Sequence, residues 1–171
     1  MVKRILVFIA IMILGGCSKK LYDLTMSKSP YLGNELKIDG YYYSNQTLAN
    51  DVGVVVFYRD GFCINTWVKP TTNDTLEYIE NEILLNDAFI NKIKGIPAHI
   101  GVFKVINPDI EFETWETRTT SFSRYGKIIN DSTFIISKSI NNATGVSTSE
   151  KLTYRFKHFS PKPDSTNNYI K

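Results

Sequence analysis

The fold is decided by the stretch Val52–Trp67, which reads VGVVVFYRDGFCINTW. It contains two runs of β-branched and aromatic residues, the types that are enriched in strands, on either side of Asp60-Gly61. An Asp-Gly pair in this position predicts a two-residue hairpin turn of type I′, which needs positive φ at both central residues. Alternation along the second strand then gives the hairpin two distinct faces, one with Phe62, Ile64 and Thr66, the other with Cys63, Asn65 and Trp67.

Strand patterns recur on both sides of this hairpin. Leu36–Ser44 precedes it, and five further segments lie in the second half of the chain: Ile100–Ile106, Ile110–Arg118, Thr119–Ile129, Thr133–Ile140 and Lys151–Phe159. Gly126 marks a bulge or kink that would let a curving sheet bend. The chain is therefore predicted to be mainly β, with about eight antiparallel strands in a meander. Closure into an up-and-down barrel would remove the exposed edges, and an open sandwich is the alternative.

One helix is predicted between the third and fourth strands, near residues 74–94. Its apolar residues recur at helical spacing: Leu76, Ile79, Ile83, Ile90 and Ile93. Asn73 or Asp74 can cap its start, and Gly95 and Pro97 end it. A break is expected near Asn86-Asp87.

The apolar stripe of this helix must be buried, because an amphipathic helix gains most of its stability from tertiary packing. Packing on the outer wall of a barrel would need apolar residues at outward-facing strand positions. Several of those positions look polar, such as Asn65, Glu111 and Glu113. The sequence therefore predicts that the helix lies across the barrel mouth as a lid.

The N-terminus carries a targeting pattern. Lys3 and Arg4 precede the apolar run Ile5–Leu14, which is too short for a membrane span of about 20 residues. A basic start, a short apolar core and small residues at Gly15-Gly16 are the layout of a secretory signal. Residues 1–16 are therefore predicted to be a signal peptide.

The end of this signal, Leu14-Gly15-Gly16-Cys17, resembles the lipobox of bacterial lipoproteins. Gly15 departs slightly from that family, in which Ala or Ser is commoner at this position. The resemblance implies cleavage before Cys17, lipidation of its thiol and attachment to a membrane. An ordinary cleaved signal with a chance cysteine is the alternative.

The residues after Cys17 bear on the location of the protein. They are Ser18-Lys19-Lys20, without the Asp or the acidic patch of other lipoprotein classes. We therefore expect the protein in the outer membrane, facing the periplasm, with the cell surface as the alternative.

The rest of the chain carries a second resemblance. The meander after the helix resembles that of small lipocalin-like bacterial lipoproteins. Two segments, Gly126–Phe134 and Phe159–Ser165, are similar to uncharacterised lipoproteins of the Bacteroidetes. These segments cover a modest part of the mature chain. The resemblance implies a lipocalin-like barrel and an envelope location, but no known activity.

Length and charge set further bounds. The chain has 171 residues and a formal net charge of +3, of which cleavage would remove Lys3 and Arg4. A nearly neutral mature domain gives no support to nucleic-acid binding. The predicted division is a lipidated N-terminus and tether at 17–34, one barrel domain at 35–159 and a flexible polar tail at 160–171.

Catalytic motifs are not found in the sequence. Cys63, His99 and His158 have no metal-ligand or nucleophile spacing, so a buried core thiol and two surface imidazoles are expected, with no disulfide, metal or cofactor. Four acidic residues follow one another on a strand and its turn, Asp109, Glu111, Glu113 and Glu116. They could bind a cation or act in acid/base catalysis, and the alternative is the solvated face of a strand. The chain is not expected to be an enzyme.

Two functional classes remain. In the first, the barrel is a non-catalytic binding module for a small apolar or amphipathic ligand, and Trp67 and Trp115 are candidates to line its cavity. Core packing is the alternative role for both tryptophans. In the second class, the protein is a structural or interaction lipoprotein that docks an envelope protein partner. An eight-stranded barrel is wide enough either to fill with side chains or to hold one small ligand, so the sequence leaves both classes open.

Overall fold

A computed structural model describes residues 22–45, 51–71 and 74–171. The predicted signal peptide at 1–16 and the predicted lipidation site Cys17 lie outside these residues, as does the first part of the tether.

The described chain forms a closed antiparallel barrel. Its strands are β1 (Gly40–Asn45), β2 (Val52–Phe57), β3 (Phe62–Val68), β4 (Ile100–Ile106), β5 (Asp109–Thr117), β6 (Thr120–Asn130), β7 (Thr133–Asn141) and β8 (Ser147–His158). Each strand pairs with its neighbours in the chain, and β1 also pairs with β8. The register shifts at Gly126, which confirms the bulge predicted there. The predicted meander and its closure into a barrel are confirmed.

The hairpin of β2 and β3 is confirmed, but its turn differs from the prediction. The Tyr58 amide donates to the Phe62 carbonyl, and the Gly61 amide donates to the Tyr58 carbonyl, both at 3.0 Å. The loop therefore has three residues, and Gly61, with φ of +85°, takes the left-handed position that such loops require. The predicted two-residue type I′ turn is wrong. Arg59 belongs to the loop, where its carbonyl accepts the Tyr31 amide of the N-terminal segment.

Buried apolar residues form two clusters, one on each side of the barrel wall. The inner core contains residues from seven strands, including Tyr42, Val55, Phe57, Cys63, Phe103, Phe112, Phe134 and Tyr154. The outer core contains the alternate residues of β2 and β3, including Val54, Val56, Phe62 and Ile64. The inner core lies inside the barrel, because only the interior can bring opposite strands together.

The helical insertion has the predicted break. Helix α1 (Thr75–Tyr78) continues as a π-helical segment, Ile79–Leu84, and helix α2 (Asp87–Lys94) follows after the break. A 3₁₀ turn, Pro97–His99, leads into β4. Asp74 caps α1 by accepting the Glu77 amide at 2.9 Å. In the part of the chain that the structure describes, no helix is long and apolar enough to cross a membrane.

The placement of this helix on the barrel mouth is wrong. Its buried residues, Ile79, Ile83, Ile90 and Ile93, belong to the outer core together with Val54 and Val56. The helix therefore lies on the outer wall. The prediction failed because Asn65 was taken as outward-facing, whereas it pairs with Val55 and faces the interior.

The N-terminal segment runs along the outer wall from one barrel end to the other. At the mouth end, defined by the turns β5–β6 and β7–β8, the Tyr22 amide donates to the Arg118 carbonyl at 2.7 Å. At the base end, defined by the turns β2–β3, β4–β5 and β6–β7, the Lys37 amide donates to the Asp131 carbonyl at 2.9 Å. Tyr31 and Leu36 join the inner core at the base end, so this segment covers that end.

The C-terminal residues 160–171, predicted as a polar tail, also follow the outer wall. Lys162 donates to the Phe57 carbonyl at 2.8 Å, and Asp164 pairs with Lys94 at 2.7 Å. The Tyr169 hydroxyl donates to the Gly95 carbonyl at 2.8 Å. The tail and the helical insertion together cover the outer core.

Candidate functional site

The base half of the inner core is filled with aromatic rings. The ring centroids of Phe57 and Phe103 lie 4.5 Å apart, and those of Phe134 and Tyr154 lie 4.8 Å apart in a stacked pair. Tyr42 contacts both Phe57 and Phe134. Rings at these separations pack against one another as a solid core. The base half is therefore occupied by side chains.

The mouth half of the interior is polar. Its inward-facing positions carry buried polar side chains, many of them small: Ser44, Asn65, Thr114, Arg124 and Ser139. Gly53 faces inward in the same half, where a Cβ atom would meet the Trp67 ring at 2.8 Å and the Tyr154 hydroxyl at 2.9 Å. Glycine at this position lets the indole ring and the hydroxyl approach the wall closely.

Arg124 brings a positive charge into this half. Its side chain extends inward from β6 and is only 6% exposed. Its Nη1 donates to Thr114 Oγ1 at 2.8 Å, and its Nη2 lies 3.7 Å from Glu116 Oε2 at the rim. The guanidinium also lies over the Phe112 and Phe122 rings, 5.8 and 5.7 Å from their centroids. These contacts fix a positive charge at the boundary between the aromatic and polar halves.

Four buried side-chain atoms have no hydrogen-bond partner among the described residues: Ser44 Oγ, Asn65 Oδ1, Glu150 Oε2 and Tyr154 OH. Ser44, Asn65 and Tyr154 face inward, since they pair with Gly53, Val55 and Phe134, and Glu150 lies near enough to Tyr154 for its charge to raise the pKa of that hydroxyl. Buried polar groups are paired in the great majority of cases, and leaving one unpaired costs about 1–3 kcal/mol. Four such atoms in one half of a barrel mark a place where a polar molecule would gain hydrogen bonds.

Burial keeps the Tyr154 hydroxyl of this cluster protonated. Burial raises the pKa of Tyr154, the positive charge of Arg124 lowers it, and the charge of Glu150 raises it, with burial the largest effect. The hydroxyl therefore keeps its proton at neutral pH and can donate a hydrogen bond. Burial also raises the pKa of the Cys63 thiol, so that thiol is unreactive. This arrangement can bind a polar group, but it presents no activated nucleophile.

The two tryptophans predicted as ligand-site candidates lie on opposite faces of the barrel wall. Trp67 faces inward in the mouth half and is half-buried. Trp115 faces outward, where its Nε1 donates to the Tyr22 carbonyl at 2.5 Å and its ring contacts that of Tyr169. The structure therefore brings only Trp67 to the polar half. Sequence reasoning missed Arg124 and Glu150, although Arg124 alternates with Phe122 and Gly126 on one face of β6.

Three of the four acidic residues of β5 have partners within the protein. Glu113, expected on a solvated strand face if not in a site, is instead fully buried and accepts five hydrogen bonds. Asp109 pairs with Lys127 at 2.8 Å, and Glu116 pairs with Arg124. Within the described ranges, no group of three or more His, Cys, Asp or Glu side chains could hold a metal ion.

Known proteins were compared with the chain at three levels. No protein family, curated protein or solved structure matches it. A function for this protein therefore has to be argued from the chemistry of the polar half.

Proposed function

We propose that this protein is a lipid-anchored envelope protein whose lipocalin-like barrel binds a small amphipathic molecule at its mouth end. The proposal is carried by one observation: four buried polar atoms without partners surround the polar half that holds Arg124. Binding would supply the hydrogen bonds that these atoms lack.

The two halves of the interior narrow the ligand class. A wholly apolar ligand would need the aromatic base half, which side chains already fill. Trp67 and Phe122, both half-buried and inward-facing, offer apolar surface near the mouth instead. We therefore favour an amphipathic ligand, with its polar group toward Arg124 and its apolar part against these two rings.

The anchor is supported by the sequence pattern at Cys17. One acyl chain binds a membrane weakly, whereas two or more anchor a protein stably. Cys17→Ser should give an unlipidated precursor, because a hydroxyl cannot form the thioether. Metabolic labelling with a fatty-acid analogue tests this, with Cys63→Ser as a control that should keep the label. Equal labelling of Cys17→Ser and the parent would contradict the anchor.

Native mass spectrometry of the full-length protein extracted from its own membrane tests the binding function. We expect a bound small molecule on the parent protein and at least a tenfold lower occupancy for Arg124→Gln. Lys127→Gln is the matched control, because it removes a positive charge from the exposed face of the same strand. Absence of any adduct on the parent, or equal occupancy in all three proteins, would refute a binding module.

A second candidate function is docking of an envelope protein partner. It is favoured by exposed apolar side chains near the base end: Leu32 is 90% exposed and Ile106 is 60% exposed. Both residues line surface cavities that share Lys104. If this function is correct, Ile106→Asp should abolish a crosslinked complex in whole cells while leaving ligand occupancy unchanged. An undiminished crosslinked complex would exclude this surface.

A further inference from the structure

We infer that the mouth end of the barrel faces the membrane and that the polar half takes the head group of a bilayer amphiphile combining one anionic group with hydrogen-bond donors. This inference rests on the proposed binding function and on the anchor at Cys17. It adds the source and the chemical class of the ligand.

The first step is the position of Tyr22, which three hydrogen bonds fix at the mouth. Its amide donates to Arg118 O at 2.7 Å, and its hydroxyl donates to Asn142 O at 2.9 Å. The Trp115 indole donates to the Tyr22 carbonyl at 2.5 Å. Arg118 and Asn142 belong to the two turns that define the mouth end, so the described chain begins at that rim.

The second step is the reach of the chain between the anchor and this rim. Five residues separate Cys17 from Tyr22 in the sequence. A fully extended chain spans at most about 3.6 Å per residue, so Tyr22 lies within about 18 Å of the lipidated cysteine. Strand β6 has 11 residues, a length of roughly 36 Å at about 3.3 Å per residue. The base end is therefore too far from Tyr22 for the same tether to reach, and the mouth end is the one held at the membrane.

The third step is the chemistry of the polar half. Arg124 favours an anionic group, because a guanidinium binds phosphate or carboxylate through several N–H donors. Asn65 Oδ1 and Glu150 Oε2 are oxygen atoms without a partner, and each can accept a hydrogen bond. A ligand that pairs with both the guanidinium and these acceptor oxygens carries an anionic group together with N–H or O–H donors. A phosphate–amine head group has this combination, whereas a phosphate with a quaternary amine lacks the donors.

Energy transfer from a fluorescent label to an acceptor lipid tests the orientation. Ala143→Cys places the label in the exposed mouth turn, and Ile129→Cys places it on exposed surface near the base end, while Cys63 is buried. With the lipidated protein in vesicles, we expect severalfold higher transfer from position 143. A flexible linker of about 12 residues inserted after Lys20 should reduce the difference, since its fully extended length of about 43 Å exceeds the barrel length. Equal or greater transfer from position 129 without the linker would overturn the orientation.

Lipid competition tests the head group. The lipidated protein is reconstituted in bilayers of equal parts phosphatidylethanolamine and phosphatidylcholine, and the retained lipids are measured by native mass spectrometry. We expect phosphatidylethanolamine to be retained at least tenfold over phosphatidylcholine and to be lost in Arg124→Gln. Glu150→Gln, at a half-buried position, replaces one acceptor oxygen with a donor and should reduce the preference even where Arg124→Gln fails to fold. Equal retention of both lipids would overturn the donor requirement.

Soluble phosphoethanolamine distinguishes a lipid of the bilayer from a free small molecule with the same head-group chemistry. Weak displacement of the lipid at millimolar concentration supports a bilayer source, whereas binding as tight as that of the lipid would overturn it. If no lipid is retained but a native small molecule co-purifies, this inference fails and the proposed binding function stands. If no small molecule co-purifies and no lipid is retained, both this inference and the proposed binding function fail.

Discussion

Glu113 should be the side chain whose loss most weakens the attachment of the N-terminal segment. Its Oε2 accepts the Thr25 amide at 2.8 Å, the Thr25 hydroxyl at 2.9 Å and the Met26 amide at 2.7 Å. Its Oε1 accepts Ser121 Oγ at 2.6 Å and Asn142 Nδ2 at 2.8 Å. One buried carboxylate on β5 therefore joins the segment to β6 and to the β7–β8 turn.

The magnitude follows from the donors that a substitution leaves unpaired. Glu113→Ala removes the acceptor for all five donors, and each buried donor left unpaired costs about 1–3 kcal/mol, so two or three left without water amount to about 3–5 kcal/mol. Glu113→Gln keeps one acceptor oxygen and presents an amide group to the remaining donors, so about 1–3 kcal/mol is expected. The Ala value is a large fraction of the 5–15 kcal/mol that is typical of a whole domain.

Urea unfolding followed by tryptophan fluorescence measures these losses. The rate of limited trypsin cleavage after Lys28 measures how readily the N-terminal segment detaches from the barrel, and it should increase in both variants. Glu111→Gln is the control, because this half-exposed neighbour on the same strand should change stability by less than about 0.5 kcal/mol. Unchanged midpoints and cleavage rates in the Glu113 variants would refute the role of this carboxylate.

Three further predictions address the turn, the helix and the tail. Gly61→Val should lower the free energy of unfolding by about 2–4 kcal/mol in thermal melts, because φ is +85° and the new Cβ would collide with the Ser29 carbonyl. Gly145→Val is the control and should cost less, because φ is +71° there but the space around it is open. Ile83→Ala and Ile90→Ala should each lower the free energy of unfolding by about 2–4 kcal/mol without changing the rate of ligand exchange. Faster exchange would instead support a helix that covers the barrel mouth. Burial lowers the pKa of Lys162 from 10.5 to about 8, so the unfolded chain binds more protons between these values. Stability should therefore rise with pH across that window, and Lys162→Met should lack the rise in urea titrations.

Local features of the fold were predictable from the sequence, because they depend on neighbouring residues. Ile100–Ile106 has the predicted bounds, and the break after Leu84 lies where Asn86 can cap a second helix. The two strands of the first hairpin were predictable, but their register was not: a two-residue turn at Asp60-Gly61 would place Phe57 opposite Ile64, whereas Phe57 pairs with Cys63. The three-residue loop was not predictable from neighbouring residues either, and its Arg59 carbonyl accepts the amide of Tyr31 from a segment about 30 residues upstream.

The two sides of the barrel wall could not be distinguished from the pattern. Both faces of the first hairpin are apolar, so Val54 and Val55 give no sign of which one faces inward. Closure of the barrel decides this, and closure is a property of all the strands together. The position of Arg124 was hidden for a related reason. The register shifts at Gly126 change which residues of β6 and β7 lie opposite each other.

The pairing of β1 with β8 has a consequence for biogenesis. The first and last strands close the barrel, as in the pair Tyr42 and Phe156, so the final contacts join residues that are far apart in the chain. A contact between such distant residues costs more loop-closure entropy than the pairing of neighbouring strands, so it is expected to form late. If the protein is exported with its N-terminus first, closure must wait for β8, and the edges of β1 and β7 stay unpaired until then. If Cys17 is lipidated before that moment, the protein acquires its anchor while it is still an open sheet.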